Sequence, residues 1–422
     1  MATLSSLRIS VAGIGLALSL GFAGCSSRGG LERPLVSGST VHSSGFENSL
    51  GSLLGGTLVP GNRITTLRDG DEIFPAMLAG IGSARRTITF ESFVFYHGDV
   101  PAQFAAALAE RARAGVKVKV ILDANGAKKS RRYHRDLRDA GVDLVIYHRA
   151  LWPDIRRYNH RTHRKLLVID GTVGFIGGVG IADEWKGRAS KPDEWRDLHY
   201  RVEGPVVAQL QGAFNDNWFK SRKEILHGPE YFPPLRSAGS ARAGVFFSSP
   251  RHGRHTVDLM YHLALSAARE SVMIENAYFL PDDALVDALC ATAHRGVKVR
   301  VIMPGEHIDQ KAVRRASRKR WPKLLAAGVE LYEFKPTMIH SKLLIVDGRF
   351  VSVGSSNFDP RSLAINDEAN LNVLDPAFAR EQTGLFLRDL RLSEPVKGRG
   401  SKPADVAELP VQAAQAPVES QL

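Results

Sequence analysis

Apolar and polar positions recur along this chain in two rounds of one order. In the first round, alternating apolar positions predict a strand over 88–95, a 3.6-residue period predicts a helix over 101–114, and a further β-rich run predicts a strand over 116–123. The second round repeats these as 272–278, 283–295 and 297–303. Each then continues through another helix and strand to a strand made of Leu, Ile and Val. The rounds align residue by residue in places: Gly115-Val116-Lys117-Val118 matches Gly296-Val297-Lys298-Val299, and Ala140-Gly141-Val142 matches Ala327-Gly328-Val329. Strand alternating with helix implies an α/β fold, a mixed sheet covered by helices on both faces. Pro229, Pro233, Pro234 and Gly239 break the pattern after a helical stretch ending near Trp218. The expected organisation is therefore a first half at 61–228, a linker at 229–243 and a second half at 244–393. The Gly/Ser-rich segment 26–60 reads as a flexible linker, and 394–422, rich in Pro, Ala and Gln, as a disordered tail.

The apolar block of each half carries the same polar insertions. His163, Lys165 and Asp170 in the first are spaced as His340, Lys342 and Asp347 are in the second. Breaking a phosphodiester takes a nucleophile, a proton donor for the leaving oxygen and fixed positive charge around the phosphoryl oxygens. One His-Lys pair supplies half of that set, and two brought together supply all of it. A lone histidine in an apolar run is better read as a core residue and a lone lysine as part of a solvated face. The repeat of the whole octet tells against that reading. The copies also extend past the octets, to Gly177-Gly178-Val179-Gly180 in one half and Gly354-Ser355-Ser356-Asn357 in the other.

These residues resemble the phospholipase D superfamily, and the text around them resembles its bacterial cardiolipin synthase branch. The likeness covers roughly residues 60 to 385. It is carried by Phe90-Glu91-Ser92-Phe93, Gly177-Gly178 with Ala182-Asp183-Glu184, Trp195-Arg196-Asp197, Ala277-Tyr278-Phe279-Leu280-Pro281-Asp282, and Arg361-Ser362 with Asn366 and Glu368. The resemblance implies two homologous phospholipase D-like halves, each a mixed, mostly parallel sheet flanked by helices. A pseudo-twofold axis would relate them and place one active site at their interface.

It further implies His163 as nucleophile, forming a phosphohistidine, and His340 as general acid and then base. Lys165, Lys342 and the amide of Asn357 would hold the phosphoryl oxygens. The acids downstream of the octets orient the histidines crosswise, Glu368 on His163 and Asp197 on His340. Gly180 stands where the family usually has Asn, so one phosphate donor is missing from the first half. Gly177 and Gly354 belong to the supporting motif. Asp170 and Asp347 precede glycine at strand ends and are expected to fix hairpin turns rather than touch substrate. The scheme needs no metal and no cofactor, because the lysines take the part that metal ions play elsewhere.

The chain has 422 residues, a formal net charge of +12 and 44% hydrophobic residues. That length fills a sizeable core, and the charge favours partners rich in phosphate, anionic lipid or nucleic acid. Basic runs follow the 116–123 strand (Lys128, Lys129, Arg131, Arg132, Arg135) and the 297–303 strand (Lys311, Arg314, Arg315, Arg318, Lys319, Arg320). They read equally as solvated helix faces or as a positive rim that draws lipid phosphates toward a cleft.

The N-terminus favours lipid. After Arg8 an apolar stretch leads to Phe22-Ala23-Gly24-Cys25, which reads as a lipoprotein-type signal over 1–25 with Cys25 lipidated. As an uncleaved anchor the stretch falls short of the ~20 residues of a spanning helix. Membrane attachment facing the periplasm or cell envelope is expected either way. Cys290 is then the remaining cysteine, in an apolar helical pattern, and reads as a small buried hydrophobe.

The reading that follows is a cardiolipin synthase-like phosphatidyltransferase acting on phosphatidylglycerol, complete as a monomer and without a nucleic-acid partner. Hydrolysis of phospholipid headgroups, a nuclease of the same superfamily, and a non-catalytic binder that keeps the fold are the alternatives. The intact histidines and lysines of both octets weigh against the last.

Overall fold

The computed structural model describes residues 35, 38–148 and 160–397. The lipoprotein-type signal, Cys25 and most of the tail lie outside them. Among the described residues, fifteen strands form one continuous sheet. In chain order they are β1 (Val59–Arg68), β2 (Thr87–Ser92), β3 (Lys117–Asp123), β4 (Asp143–Tyr147), β5 (Leu166–Ile169), β6 (Val173–Gly177), β7 (Leu198–Glu203), β8 (Ala241–Ser248), β9 (Ser271–Asn276), β10 (Lys298–Pro304), β11 (Glu330–Phe334), β12 (Lys342–Val346), β13 (Phe350–Gly354), β14 (Glu368–Leu374) and β15 (Ser393–Pro395). Across the sheet they run β15-β11-β10-β9-β12-β13-β14-β8-β1-β7-β6-β5-β2-β3-β4. Apart from β15 the order reads the same from either end once halves are matched, β4 with β11 through to β1 with β8. The halves meet at the antiparallel β1–β8 pair, where Val59 faces Ala243 and Asn62 faces Ala241 across a bulge. Asn62 holds the bulge, donating to Val59 O and Ala241 O and accepting from Val206 N–H.

The expectation of a mostly parallel sheet is corrected. Among these fifteen strands, parallel pairing is confined to β2–β3, β3–β4, β9–β10 and β10–β11, and the remaining strand pairs are antiparallel. Helices 99–113 and 283–294 cross over between the parallel strands, whereas the octet strands turn back tightly and can pair only antiparallel. Asp170 and Gly171 both have positive φ (50° and 66°), as do Asp347 and Gly348 (49° and 57°). Thr172 N–H closes the first turn on Ile169 O at 2.9 Å, and Arg349 N–H the second on Val346 O at 3.1 Å. Both are two-residue turns whose twist suits a hairpin.

The strands are buried on both sides, so alternate residues feed different cores. On β5, Leu167 and Ile169 join a core under helices 69–83, 99–113 and 131–139, while Leu166 and Val168 enter a core on the opposite face. That opposite core runs unbroken through both halves, from Ile121 and Trp218 to Phe386 and Leu390, beneath helices 207–222 and 376–391. It locks the two halves into one body.

The 26–60 segment is not the flexible linker expected over its described part. Ser44–Leu54 is a helix capped by Ser43, and Phe46, Leu50 and Leu54 are buried in the second half's core, Phe46 edge-on to Phe350 at 5.3 Å. A repeat of four between large apolar residues makes one face of a helix, and burial of that face outweighs the cost of Gly and Ser. The tail also begins later than expected, since β15 pairs with β11 through Ser393, Glu394 and Pro395.

Candidate active site

The two octets meet at the junction of the halves, beyond the carboxyl ends of β2 and β9. Their approach is set by backbone. Thr162, just before His163, forms a β-bridge with Asp367, just before Glu368, and Ile339, just before His340, bridges Arg196, just before Asp197. His163 N–H donates to Asp367 O at 2.8 Å and His340 N–H to Arg196 O at 2.7 Å. Each histidine is thus stitched to the residue beside its acid in the other half. The acids then meet the rings: Glu368 Oε1 and Oε2 each lie 3.0 Å from His163 Nδ1, and Asp197 Oδ2 lies 2.8 Å from His340 Nδ1. With a carboxylate at Nδ1, that nitrogen carries the proton and Nε2 keeps the lone pair.

The two acids are held differently. Glu368 accepts the hydroxyls of Ser355 and Ser362. Asp197 accepts the Trp185 indole N–H at 2.8 Å and the Leu198 backbone N–H at 2.8 Å. Burial raises the basicity of Glu368, but His163, Lys165 and the Ser355 hydroxyl more than offset it and hold the carboxyl below its usual range. Asp197 is raised, because burial outweighs the Lys342 charge and the indole.

Lys165 and Lys342 are 4% exposed. Lys165 Nζ donates to His163 O at 2.8 Å, and Lys342 Nζ contacts His340 O and stands 2.9 Å from His340 Nδ1 and 3.0 Å from its Nε2. Burial drives Lys165 down to about 8 and Lys342 to about 7. Burial also takes His163 to about 4, with Glu368 opposing, and sends His340 well below the imidazole range, reinforced by Lys342 and Lys165. Two imidazoles and two ammonium groups are packed together here, where burial and neighbouring positive charge loosen their protons, and an anion among them reverses that. Asn357 is 3% exposed, and its Oδ1 is buried with no partner among the described residues. Phe93 lies edge-on to His163 at 5.1 Å, and Trp185, Trp195 and Tyr278 surround His340 at 5.1, 5.4 and 6.1 Å.

Asp170 and Asp347 lie away from the rings. Asp170 accepts the backbone N–H groups of Arg85, Arg86 and Thr87, and Asp347 those of Arg269, Glu270 and Ser271, tying each hairpin to the entry of β2 or β9. Gly177 and Gly354 end β6 and β13 where the chain passes close to β7 and β14. A Cβ would stand 2.5 Å from His199 Nδ1 at the first and 2.3 Å from Ala369 O at the second. At Gly180 it would meet Val94 Cβ at 2.8 Å and the Trp185 ring at 2.9 Å; the indole takes the room that an Asn side chain would need. In the second basic run Arg314 and Arg318 pair with Glu333, and Arg320 with Asp283. In the first, Lys129 sits 4.6 Å over the Tyr96 ring. Cys290 is buried.

The sequence reading missed the bracing around the site. Arg164 is fully buried and donates to Ala213 O, Ser248 O, Asp216 and Glu368 O. Arg196 bridges Asp389 and Asp69 at 3.0 and 3.1 Å. Glu91 and Glu275, at matching places on β2 and β9, take the hydroxyls of Thr162 and Ser341 that flank the histidines, and burial pushes them up to about 7 and about 8. An arginine inside an octet was the available signal. Among the described residues no group of His, Cys, Asp or Glu is arranged to hold a metal ion, and no helix is long and apolar enough to cross a membrane.

The chain matches the family model "Cardiolipin synthase, PLD-like domain" over residues 77–188 and 262–390. It is 35% identical over 337 residues to cardiolipin synthase 2 of Bacillus cereus, covering 79% of this chain and 65% of that one. To cardiolipin synthase A of Pseudomonas fluorescens it is 34% identical over 343 residues, covering 81% and 71%. The chain thus spans a little under two thirds of the Bacillus relative's length. The fold is shared with the phosphatidylserine synthase of Haemophilus influenzae, at a TM-score of 0.61 and 14% identity over 83% of this chain and 92% of that one.

Proposed function

Because the chain belongs to the phospholipase D-like cardiolipin synthase family, we propose that it transfers a phosphatidyl group through His163 to the terminal hydroxyl of phosphatidylglycerol. The observation that carries this reading is the crosswise pairing of each octet histidine with an acid of the other half, both lysines being buried beside them. His163 Nε2 attacks phosphorus, and the P–O bond to the donor's headgroup alcohol breaks as that oxygen takes a proton. The donor of that proton is His340 Nε2, which takes it from Lys342, 3.0 Å away, before the transfer, so that once the proton is given up Nε2 again holds a lone pair. The negative phosphodiester favours the charged forms of Lys165 and Lys342, so the substrate itself restores the protons that burial loosens. In the second step the acceptor hydroxyl gives its proton to His340 Nε2 as its oxygen attacks phosphorus and the Nε2–P bond breaks, forming cardiolipin. Lys165, Lys342 and Asn357 face the phosphoryl oxygens throughout. We assign membrane attachment to a lipid on Cys25 and catalysis to the single chain.

The test is labelled phosphatidylglycerol vesicles, with and without phosphatidylethanolamine, incubated with the protein in EDTA and resolved by chromatography. Labelled cardiolipin that His163→Ala abolishes is the expected result. Phosphatidic acid as the sole product would make the protein a hydrolase, and cardiolipin formation surviving in His163→Ala would overturn the assigned nucleophile. His340→Ala, given a p-nitrophenyl phosphodiester whose leaving group needs no proton, is expected to accumulate a phosphoenzyme on His163.

A further inference from the structure

We propose that Arg161, with Arg361 beside it, forms a second phosphate subsite that holds the phosphodiester of the acceptor lipid while its hydroxyl reaches the reacting phosphorus. The inference rests on the phosphatidyl-transfer reading above and names where that reaction's second anion binds.

Arg161 lies two residues before His163, and in an extended chain alternate residues share a face, so Arg161, His163 and Lys165 project together. All three lie against one ring. Phe93 is 5.1 Å from the His163 ring, 5.8 Å from Lys165 Nζ and 5.8 Å from Arg161 Cζ. His163 and Lys165 are buried, whereas Arg161 is partly exposed, which sets Arg161 nearer to solvent than the nucleophile. The buried Nε of Arg161 has no hydrogen-bond partner among the described residues. Arg164, three residues on, instead has its guanidinium fully engaged by Ala213, Asp216, Ser248 and Ser249. Asp123 feels the Arg161 charge, but its oxygens already accept the backbone N–H groups of Asn125, Gly126 and Thr162.

Arg361 enters from the other half, on the short helix Pro360–Ala364 capped by Asp359. Asp367 N–H donates to Arg161 O at 2.9 Å and the neighbouring Asn366 N–H to Arg361 O at 2.7 Å, which brings the two segments together, and the basicity of Arg361 is lowered by burial and then by the Arg161 charge. Arg361 donates to Asn366 Oδ1 at 3.5 Å, so Arg161 is the principal phosphate donor of the pair and Arg361 adds charge beside it. The matching position in the second half is Met338, fully buried with Ala277 and Ile308. One histidine therefore has a cation on its approach and the other an apolar side chain.

The chemistry of the product fits that difference. Cardiolipin carries two phosphates one glycerol apart, so a site that forms it meets a second anion at a fixed short span from the first. An acceptor lying in a bilayer keeps its phosphate near the membrane surface and extends its headgroup hydroxyl beyond it into the site, which matches a cation nearer to solvent than His163. A donor that loses a neutral headgroup alcohol leaves this subsite to the acceptor.

The test is calorimetric titration of the full chain with glycerol 1,3-bisphosphate and with glycerol 1-phosphate. The bisphosphate is expected to bind about tenfold or more tightly, and Arg161→Gln to reduce that preference to below about threefold, with Arg361→Gln acting in the same direction. Arg161→Lys, which keeps the charge, is expected to retain part of it. Equal affinity for the two ligands in the wild type, or an undiminished preference in Arg161→Gln, overturns the subsite. The vesicle assay separates the two ideas: if no cardiolipin forms while the preference for the bisphosphate depends on Arg161, the subsite stands and the transfer reading falls. If cardiolipin forms and the preference is absent, the reverse holds.

Discussion

Replacing Glu368 with Gln keeps the outline of the side chain and removes the charge that faces His163. Both carboxylate oxygens lie 3.0 Å from Nδ1, and each also takes a serine hydroxyl. In the variant one oxygen becomes an NH2 group, which donates and cannot accept. If that group turns to a serine, the imidazole keeps one neutral acceptor in place of a charged pair. Losing charge assistance alone is worth about 1.5–3 kcal/mol, or roughly 10- to 150-fold in rate. If the NH2 group instead confronts Nδ1, the ring must move its proton to Nε2 and the attacking lone pair is gone. The corresponding tautomer change in a Ser-His-Asp triad costs about 10⁴-fold in kcat. The expected loss in kcat for cardiolipin formation therefore lies between about 10- and about 10⁴-fold. KM for phosphatidylglycerol stays within about threefold, because Glu368 acts on the lipid only through His163. Initial rates on vesicles over a range of lipid concentrations measure both, with thermal unfolding to verify that the variant is folded. A folded Glu368→Gln protein whose kcat lies within tenfold of the wild type would refute the orienting role.

The pH profile of kcat/KM follows from the buried cations. Burial lowers the lysines, so their charge disappears earlier as pH rises, and kcat/KM should decline through about 7 to 8 as Lys342 and then Lys165 lose protons. Burial also lowers His163, so its lone pair survives until pH falls to about 4, where the acid limb belongs. The alkaline limb of kcat lies higher than that of kcat/KM because bound phosphodiester stabilises the ammonium forms; a kcat/KM flat to pH 9 would contradict the assignment. Gly180→Asn is expected to lower stability by about 1–3 kcal/mol, read as a fall in Tm, and to reduce activity by displacing Trp185 from Asp197. Trp185→Phe in the same chain recovers part of the lost Tm, and a Gly180→Asn protein as stable as the wild type would show that the indole does not fill that space.

The layout of the site was legible because the two His-Lys pairs repeat at fixed spacing and because the resemblance implied the crosswise acids, which the structure brings to the two histidines. The sheet was less legible. Hydrophobic alternation marks a strand but not its direction, and the parallel strands β2, β3 and β4, joined by long helices, gave the expectation its bias. Asp170-Gly171 and Asp347-Gly348 between apolar runs were the local sign of antiparallel hairpins, read as turns but not carried through to the sheet. Helix 44–54 was concealed by its Gly and Ser content although Phe46, Leu50 and Leu54 already stood four apart. Crosswise contacts such as Thr162 with Asp367, or Arg196 with Ile339, join residues far apart in the chain, and no local pattern encodes them.

The departure at Gly180 takes on a different meaning once the halves are superposed by position. Counted from the octet aspartates, Gly178, Gly180 and Trp185 in the first half stand where Ser355, Asn357 and Ser362 stand in the second. Ser355 and Ser362 both donate to Glu368, whereas Trp185 alone of the three matching residues donates to Asp197. A Cβ at position 178 would come 2.2 Å from Asp197 Oδ1, and one at 180 would enter the Trp185 ring. Two side chains have been reduced to hydrogen and one enlarged to an indole, with the acid supported in either arrangement. The result is a site whose two histidines are equivalent in backbone and unequal in surroundings. Glu368, held by hydroxyls beside Lys165, stays ionised, while Asp197, under an indole and beside the Lys342–His340 contact, is pushed the other way. A carboxylate that holds its charge suits a histidine that must attack and carry positive charge. One whose charge is weaker suits a histidine that must pass a proton back and forth. That difference supports the order of roles proposed for His163 and His340, which their identical octets leave open.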